Sequence, residues 1–135
     1  MAFPGARLGQ TQVLSGPRVL CLDDNKSIAD ELAEAFIDLG CVDAYVAYDI
    51  EGVEAILGQI HIELALLDVG LGGGISSVAT GSRIAALGGK VVFMSGYSRW
   101  ELTSALDDFE FVEKPVSYST LEGIVAAYLS TSNAA

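Results

Sequence analysis

Residues 64–74 read LALLDVGLGGG, an apolar run that ends in one carboxylate, Asp68, and passes at once into a glycine-rich loop. A short apolar run without alternation is typical of a parallel-sheet strand that is buried on both faces. An acid directly after such a strand lies at the rim of the core rather than inside it. The stretch therefore predicts a buried strand that presents a carboxylate at its end.

The same pattern, a short apolar run followed by a helical segment, recurs on both sides of this stretch. We predict strands at 19–22, 42–48, 62–67, 91–94 and 109–113. We predict helices at 28–39, 50–60, 76–87 and 99–106, and a last one after a cap at Ser117 or Ser119. Strands that alternate with helices indicate an α/β fold, a doubly wound sheet of five parallel strands with helices on both faces.

Length and composition fit one domain with a hydrophobic core. The chain has 135 residues, of which 51% are hydrophobic, and a formal net charge of −11. We place a loose tail at 1–16, the domain at 17–130 and a short tail at 131–135. Two cysteines, Cys21 and Cys41, make neither a disulfide framework nor a zinc site.

Charge and hydropathy exclude some partners. An acidic chain is disfavoured for nucleic-acid binding, which needs basic groups against phosphates. No apolar run is long enough to span a bilayer, and the first residues do not resemble a signal peptide. We therefore expect a cytoplasmic protein that binds neither nucleic acid nor membrane.

Chemically active residues follow four of the five predicted strands. Asp23 and Asp24 follow the first, Asp68 the third, Ser95 the fourth and Lys114 the fifth. Ligands of such sheets bind at the carboxyl ends of the strands, so these side chains are expected to converge. Clustered carboxylates repel each other, and a hard divalent cation with oxygen ligands relieves that repulsion. The pattern predicts a Mg²⁺ site beside an ammonium and a hydroxyl.

Four motifs in this order resemble the receiver domain of two-component response regulators, in its CheY-like, stand-alone form. They are Asp23-Asp24, Asp68, Ser95-Gly96 and Lys114-Pro115, and the resemblance covers about residues 17–129. It implies the flavodoxin-like, three-layer architecture of that family. It also implies that Asp68 is phosphorylated by a histidine kinase or a histidine phosphotransfer protein.

The resemblance implies a role for each site residue. Asp68 is the nucleophile, and Asp23, Asp24 and Asp68 bind Mg²⁺ together with the backbone carbonyl of Gly70. Lys114 pairs with the phosphoryl group, and in this family it precedes a cis or strained bond to proline.

The family's switch corresponds to Ser95 and Phe111. Ser95 forms a hydrogen bond with the phosphoryl group and moves toward it. Phe111, three residues before the lysine, then rotates inward and changes the surface that binds a downstream protein.

Three functions remain open from the sequence. The first is a phosphorylation-dependent switch that signals by binding a protein partner. The second is a phosphate sink or phosphorelay intermediate that has no output surface of its own. The third, an aspartate-nucleophile phosphatase, is disfavoured because it needs a second acid two residues after the nucleophile, where this chain has Gly70. We expect no enzymatic activity beyond self-phosphorylation from phosphodonors with Mg²⁺ and slow autodephosphorylation.

Overall fold

The computed structural model describes residues 16–96 and 109–134. Its elements are β1 (Arg18–Leu22), α1 (Lys26–Asp38), β2 (Asp43–Ala47), α2 (Ile50–Leu57), β3 (Leu64–Asp68), α3 (Val78–Ala86), β4 (Lys90–Ser95), β5 (Glu110–Glu113) and α4 (Tyr118–Ala134). The tail predicted at 1–16 and the helix predicted at 99–106 lie outside these residues, apart from Gly16.

The five strands form one parallel sheet in the order β2-β1-β3-β4-β5. The register pairs Leu22 with Ala47 and Leu67, and Asp68 with Met94, so the carboxyl ends of the central strands lie level. The chain order reverses between β1 and β3, and a crevice opens at such a point of a doubly wound sheet. The predicted fold class is confirmed.

Two apolar clusters cover the two faces of the sheet and make three layers. One joins β1, β3 and β4 to the inner sides of α1 and α4, with Phe36 and Leu121 among its buried members. The other joins the opposite face to α2 and α3, with Val53 and Ile84 among its members. Because the strands carry apolar side chains on both faces, polar chemistry is confined to the strand ends.

Capping side chains decide where the helices begin. Asn25 accepts a hydrogen bond from Ile28 N–H before α1, and Asp49 accepts one from Gly52 N–H before α2, as predicted for Asp49. Ser117 accepts from Thr120 N–H, so it caps α4, and the alternative cap at Ser119 is wrong.

Some predicted boundaries are wrong by a few residues. Strand β3 begins at Leu64 rather than at residue 62, and α2 ends at Leu57 rather than at residue 60. Helix α3 begins at Val78 rather than at residue 76, because a turn precedes it. Helix α4, for which no last residue was predicted, extends to Ala134.

Two further expectations concern the cysteines and the absence of a membrane-spanning segment among the described residues. Cys21 and Cys41 are both buried and unbonded to each other, and burial raises the pKa of the Cys41 thiol to about 12. Within the described ranges, no helix has the length and apolar character needed to cross a membrane.

Candidate functional site

Asp68 is the last residue of the central strand β3. It pairs with Met94 in β4, and only 7% of its surface is exposed. The pairing of β3 with β1 ends one residue earlier, at Leu67 and Leu22. The Asp68 carboxylate therefore lies where β1 has ended and β4 still continues, at the mouth of the crevice.

Asp23 and Asp24 follow β1 and differ in exposure. Asp23 is completely buried, and its Oδ1 accepts a hydrogen bond of 2.9 Å from the backbone N–H of Asn25. This turn, in which an aspartate bonds the backbone two residues on, fixes the carboxylate. Asp24 is exposed to solvent. The structure thus provides one rigid, buried carboxylate and one that water can reach.

One oxygen from each of Asp23, Asp24 and Asp68 lies within 4.8 Å of the others. Among the described residues, this is the one group of three or more such side chains close enough to share a metal ion. All three ligands are carboxylate oxygens, which suit a hard cation such as Mg²⁺, and exposed Asp24 leaves room for water ligands. The donor set therefore fits Mg²⁺.

Lys114 supplies the positive charge of the cluster from the end of β5. Its Nζ lies 2.8 Å from Asp23 Oδ2 and 3.4 Å from Asp68 Oδ2. Its backbone N–H donates a 2.8 Å hydrogen bond to the carbonyl of Ser95, which ties the ends of β4 and β5 together. The bond between Lys114 and Pro115 is cis, as the resemblance implied.

The charges of the cluster shift two pKa values. Burial raises the pKa of Asp68, the Lys114 ammonium opposes that rise, and the Asp23 and Asp24 charges add to it. Burial alone lowers the pKa of Lys114, but its hydrogen bond to Asp23 and the charge of Asp68 outweigh burial and raise it. Lys114 is therefore a firmly protonated cation between two carboxylates.

The predicted switch residues lie in the neighbouring strands β4 and β5. Ser95 ends β4 and is buried, while Gly96 after it is exposed, and no atom of the described residues lies within 4 Å of where its side chain would begin. Phe111 in β5 pairs with Phe93 and packs, half-buried, against the cluster on the α2 and α3 side.

The loop after Asp68 is a defined turn. Gly72, Gly73 and Gly74 all have positive φ angles, of 82°, 57° and 79°, a conformation that residues with side chains rarely adopt. Leu71 N–H donates to the carbonyl of Ile75, and Gly70 forms a bridge with Ser76. The run of glycines thus folds the chain back beside Asp24, where a side-chain carbon on Gly72 would lie 3.4 Å from Oδ2 of Asp24.

Sequence reasoning missed three contacts at the site. It did not foresee that the backbone N–H of Asn25 orients Asp23, although an aspartate often bonds the backbone two residues on in such a turn. It also missed Ser77, whose buried hydroxyl donates a 2.6 Å hydrogen bond to the backbone carbonyl of Asp68. Lys114 was assigned to the phosphoryl group, and its contact with Asp23 was not predicted.

Several solved structures resemble this chain over most of its length. One is a CheY-like response regulator receiver domain protein from Methanospirillum hungatei, at 21% identity and a TM-score of 0.76, covering 90% of this chain and 100% of that one. A second is the receiver domain of the Francisella response regulator 1452, at 21% identity and a TM-score of 0.71, covering 86% of this chain and 98% of that one.

The chain has the fold of a CheY-like receiver domain. A third similar structure, NtrX from Brucella abortus, is 27% identical with a TM-score of 0.75. The match covers 87% of this receiver fold but 28% of that longer chain. No protein-family model and no curated protein matches the sequence.

Proposed function

We propose that this protein is a receiver that accepts a phosphoryl group on Asp68 in two-component signalling. One observation carries the proposal. The carboxylate that ends the central strand lies within 4.8 Å of two further carboxylates, with the Lys114 ammonium 3.4 Å away, at the mouth of the sheet crevice.

Asp68 is the nucleophile in the proposed reaction. Its carboxylate oxygen attacks the phosphorus of a phosphohistidine or of a small phosphodonor, and the bond from phosphorus to the leaving group breaks in line. The imidazole, or the acetate of acetyl phosphate, leaves with the bonding electron pair. Asp23, Asp24, Asp68 and the carbonyl of Gly70 would hold Mg²⁺, which would supply positive charge against the phosphoryl oxygens.

Lys114 and Ser95 hold the transferred group. Lys114, already protonated beside Asp68, pairs with a phosphoryl oxygen and lessens the charge that develops during transfer. Ser95 donates a hydrogen bond from its hydroxyl to another oxygen, and Gly96, which has no side chain, leaves access for the donor.

We propose that phosphorylation is read by a downstream protein through β5. The hydroxyl of Ser95 moves toward the phosphoryl group, and Phe111 turns further into the apolar cluster on the α2 and α3 side. The partner is a protein, because the charge of −11 opposes nucleic acid, and the phosphoryl source is a histidine kinase or histidine phosphotransfer protein.

A phosphate sink or relay intermediate uses the same site, so it stands as the second candidate. A partner that prefers the phosphorylated form separates the two.

Phe111→Ala is expected to keep phosphorylation while it weakens that preference, and unchanged partner affinity would remove Phe111 as the switch. We place the phosphatase hypothesis last, because Gly70 offers no acid to protonate a leaving group.

The proposal is tested by intact mass after incubation with acetyl phosphate and Mg²⁺. We expect one added phosphoryl group on the wild type and none on Asp68→Asn. Omission of Mg²⁺ is expected to prevent the addition. Equal labelling of wild type and Asp68→Asn would contradict the assignment of Asp68.

A further inference from the structure

Ser77 is a fully buried serine that contacts the backbone of Asp68 from the far side of the glycine loop. Its hydroxyl donates a 2.6 Å hydrogen bond to the carbonyl oxygen of Asp68, and its N–H donates 2.9 Å to the carbonyl of Val69. The two hydrogen bonds hold two consecutive carbonyls, those of Asp68 and Val69, at the end of β3.

The hydroxyl makes this contact instead of the one that its position favours. Ser77 is the residue before α3, where a serine usually accepts a stabilising hydrogen bond from the first turn of the helix. No such capping bond is present at Ser77, and Ser76 instead accepts from Val78 N–H at 3.1 Å. The Ser77 hydroxyl therefore bonds the carbonyl of Asp68 instead of capping α3.

The carbonyl of Asp68 has reason to need this donor. The β1–β3 ladder ends at the Leu22–Leu67 pair, so strand pairing on the β1 side stops one residue before Asp68. A buried carbonyl without a donor destabilises the fold, and a loosely held peptide lets its side chain shift. Ser77 both satisfies the carbonyl and fixes the peptide that carries the carboxylate.

We propose that Ser77 is a positioning residue for phosphoryl transfer, acting through the backbone of Asp68 rather than by touching the phosphoryl group. The inference rests on the proposed function of Asp68. In-line attack tolerates little displacement, since a shift of about 1 Å at the reacting atoms can slow a reaction about a hundredfold. A clamp on the Asp68 peptide therefore acts mainly on the rate of transfer, and less on the affinity for the donor.

The test compares Ser77→Ala and Ser77→Cys with the wild type and with Ser76→Ala, whose hydroxyl bonds only the adjacent exposed turn. Phosphorylation by acetyl phosphate is followed at saturating Mg²⁺ over a range of donor concentrations, and circular dichroism reports folding. We expect Ser77→Ala to lower the maximal rate by about tenfold or more, with the half-saturating donor concentration within about twofold of the wild type. Ser76→Ala is expected to match the wild type.

Ser77→Cys keeps the volume of the side chain but offers only a weak donor. It is expected to be slow as well, and it replaces Ser77→Ala if that variant does not fold. A cysteine variant as fast as the wild type would show that shape rather than hydrogen bonding matters, and would overturn the inference. Equal rates for all variants beside a phosphorylated wild type would overturn it while leaving the proposed function intact. A wild type that accepts no phosphoryl group would overturn both.

Discussion

Lys114 is the residue on which the charge balance of the site depends. Its Nζ contacts Asp23 and Asp68, while Asp24 remains in solvent. The buried carboxylate of Asp23 is stabilised by this one ammonium and by the N–H of Asn25. Loss of a partner from a buried ion pair leaves an uncompensated charge, which costs far more than loss of a surface pair.

Lys114→Met is therefore expected to lower the free energy of unfolding by about 2–3 kcal/mol in metal-free buffer. Lys90→Met breaks the exposed pair with Glu110 and is the matched control, with an expected loss below about 1 kcal/mol. Urea denaturation measures both. Added Mg²⁺ is expected to restore most of the loss at position 114, since a divalent cation replaces the missing charge. Equal losses for the two variants would contradict this account of Lys114.

Asp68 makes the folded protein sensitive to pH. Burial raises the pKa of its carboxyl above the unfolded value, so folding favours the protonated form. Its stabilising contribution is complete below the unfolded pKa and is lost as pH rises through the folded pKa. Asp68→Asn is thus expected to unfold at higher urea than the wild type at pH 7 without metal, and this difference should shrink toward about pH 4. A difference that grows on acidification would show that the sign is wrong.

The residues of the site were largely predictable because each follows an apolar strand. Asp23, Asp24, Asp68 and Lys114 stand at strand ends in the sequence, and parallel pairing brings those ends together. Two contacts were not predictable: the hydrogen bond of Ser77 to the carbonyl of Asp68, and the ion pair of Lys114 with Asp23. They depend on the course of a loop and on a side-chain conformation, which no spacing in the sequence encodes.

Helix α3 approaches the sheet closely because it carries a glycine where it crosses Phe93. A side-chain carbon placed on Gly81 would lie 2.4 Å from Cζ of that ring. The ring is fully buried and meets Phe109 edge to face, with centroids 5.2 Å apart, so it has little room to move.

Gly81→Ala is expected to destabilise the fold by about 2 kcal/mol, because overpacking outweighs the better helix propensity of alanine. Gly123→Ala in α4 is the matched control, since no atom of residues 16–96 or 109–134 is found within 4 Å of the added carbon. That variant is expected to gain up to about 1 kcal/mol. Urea denaturation of both would contradict the packing argument if Gly81→Ala were as stable as Gly123→Ala.

The presence of a helix was easier to predict than its first and last residues. The apolar periodicity of α1 and α2 was plain, and Asp49 marked a start. The start of α3 was misplaced because the turn through Ser76 and Ser77 continues the polar loop, with hydrogen bonds that close back on β3. Such tertiary bonds decide a boundary without leaving a periodic signal.

The whole molecule combines an apolar three-layer core with a strongly acidic surface. The net charge is −11, so the acidic side chains repel one another in the folded chain. This repulsion is strongest at the crevice, where three carboxylates lie close together. Strand and helix alternation predicted the layers correctly, because strands that are apolar on both faces need helices on both sides. The chain between β4 and β5 lies outside the described residues, so the predicted helix there remains a prediction.

A bound divalent cation is expected to stabilise the whole fold by mass action. At ten times its dissociation constant, Mg²⁺ should add about 1.4 kcal/mol to the free energy of unfolding and raise Tm by a few degrees. Asp24→Asn removes an exposed ligand with little effect on the metal-free fold, and it should lose most of this gain. A rise in Tm that NaCl of equal ionic strength reproduces, or that Asp24→Asn retains, would contradict a specific site.

The central claim is that Asp68 carries the phosphoryl group, and the most direct test is to locate that group chemically. After treatment with acetyl phosphate and Mg²⁺, borohydride reduces an aspartyl phosphate to homoserine, which peptide mass spectrometry detects. The account predicts homoserine at position 68 and at no other acidic residue, and none when Mg²⁺ is omitted. Homoserine at Asp23, Asp24 or a surface acid, with Asp68 unmodified, would contradict it.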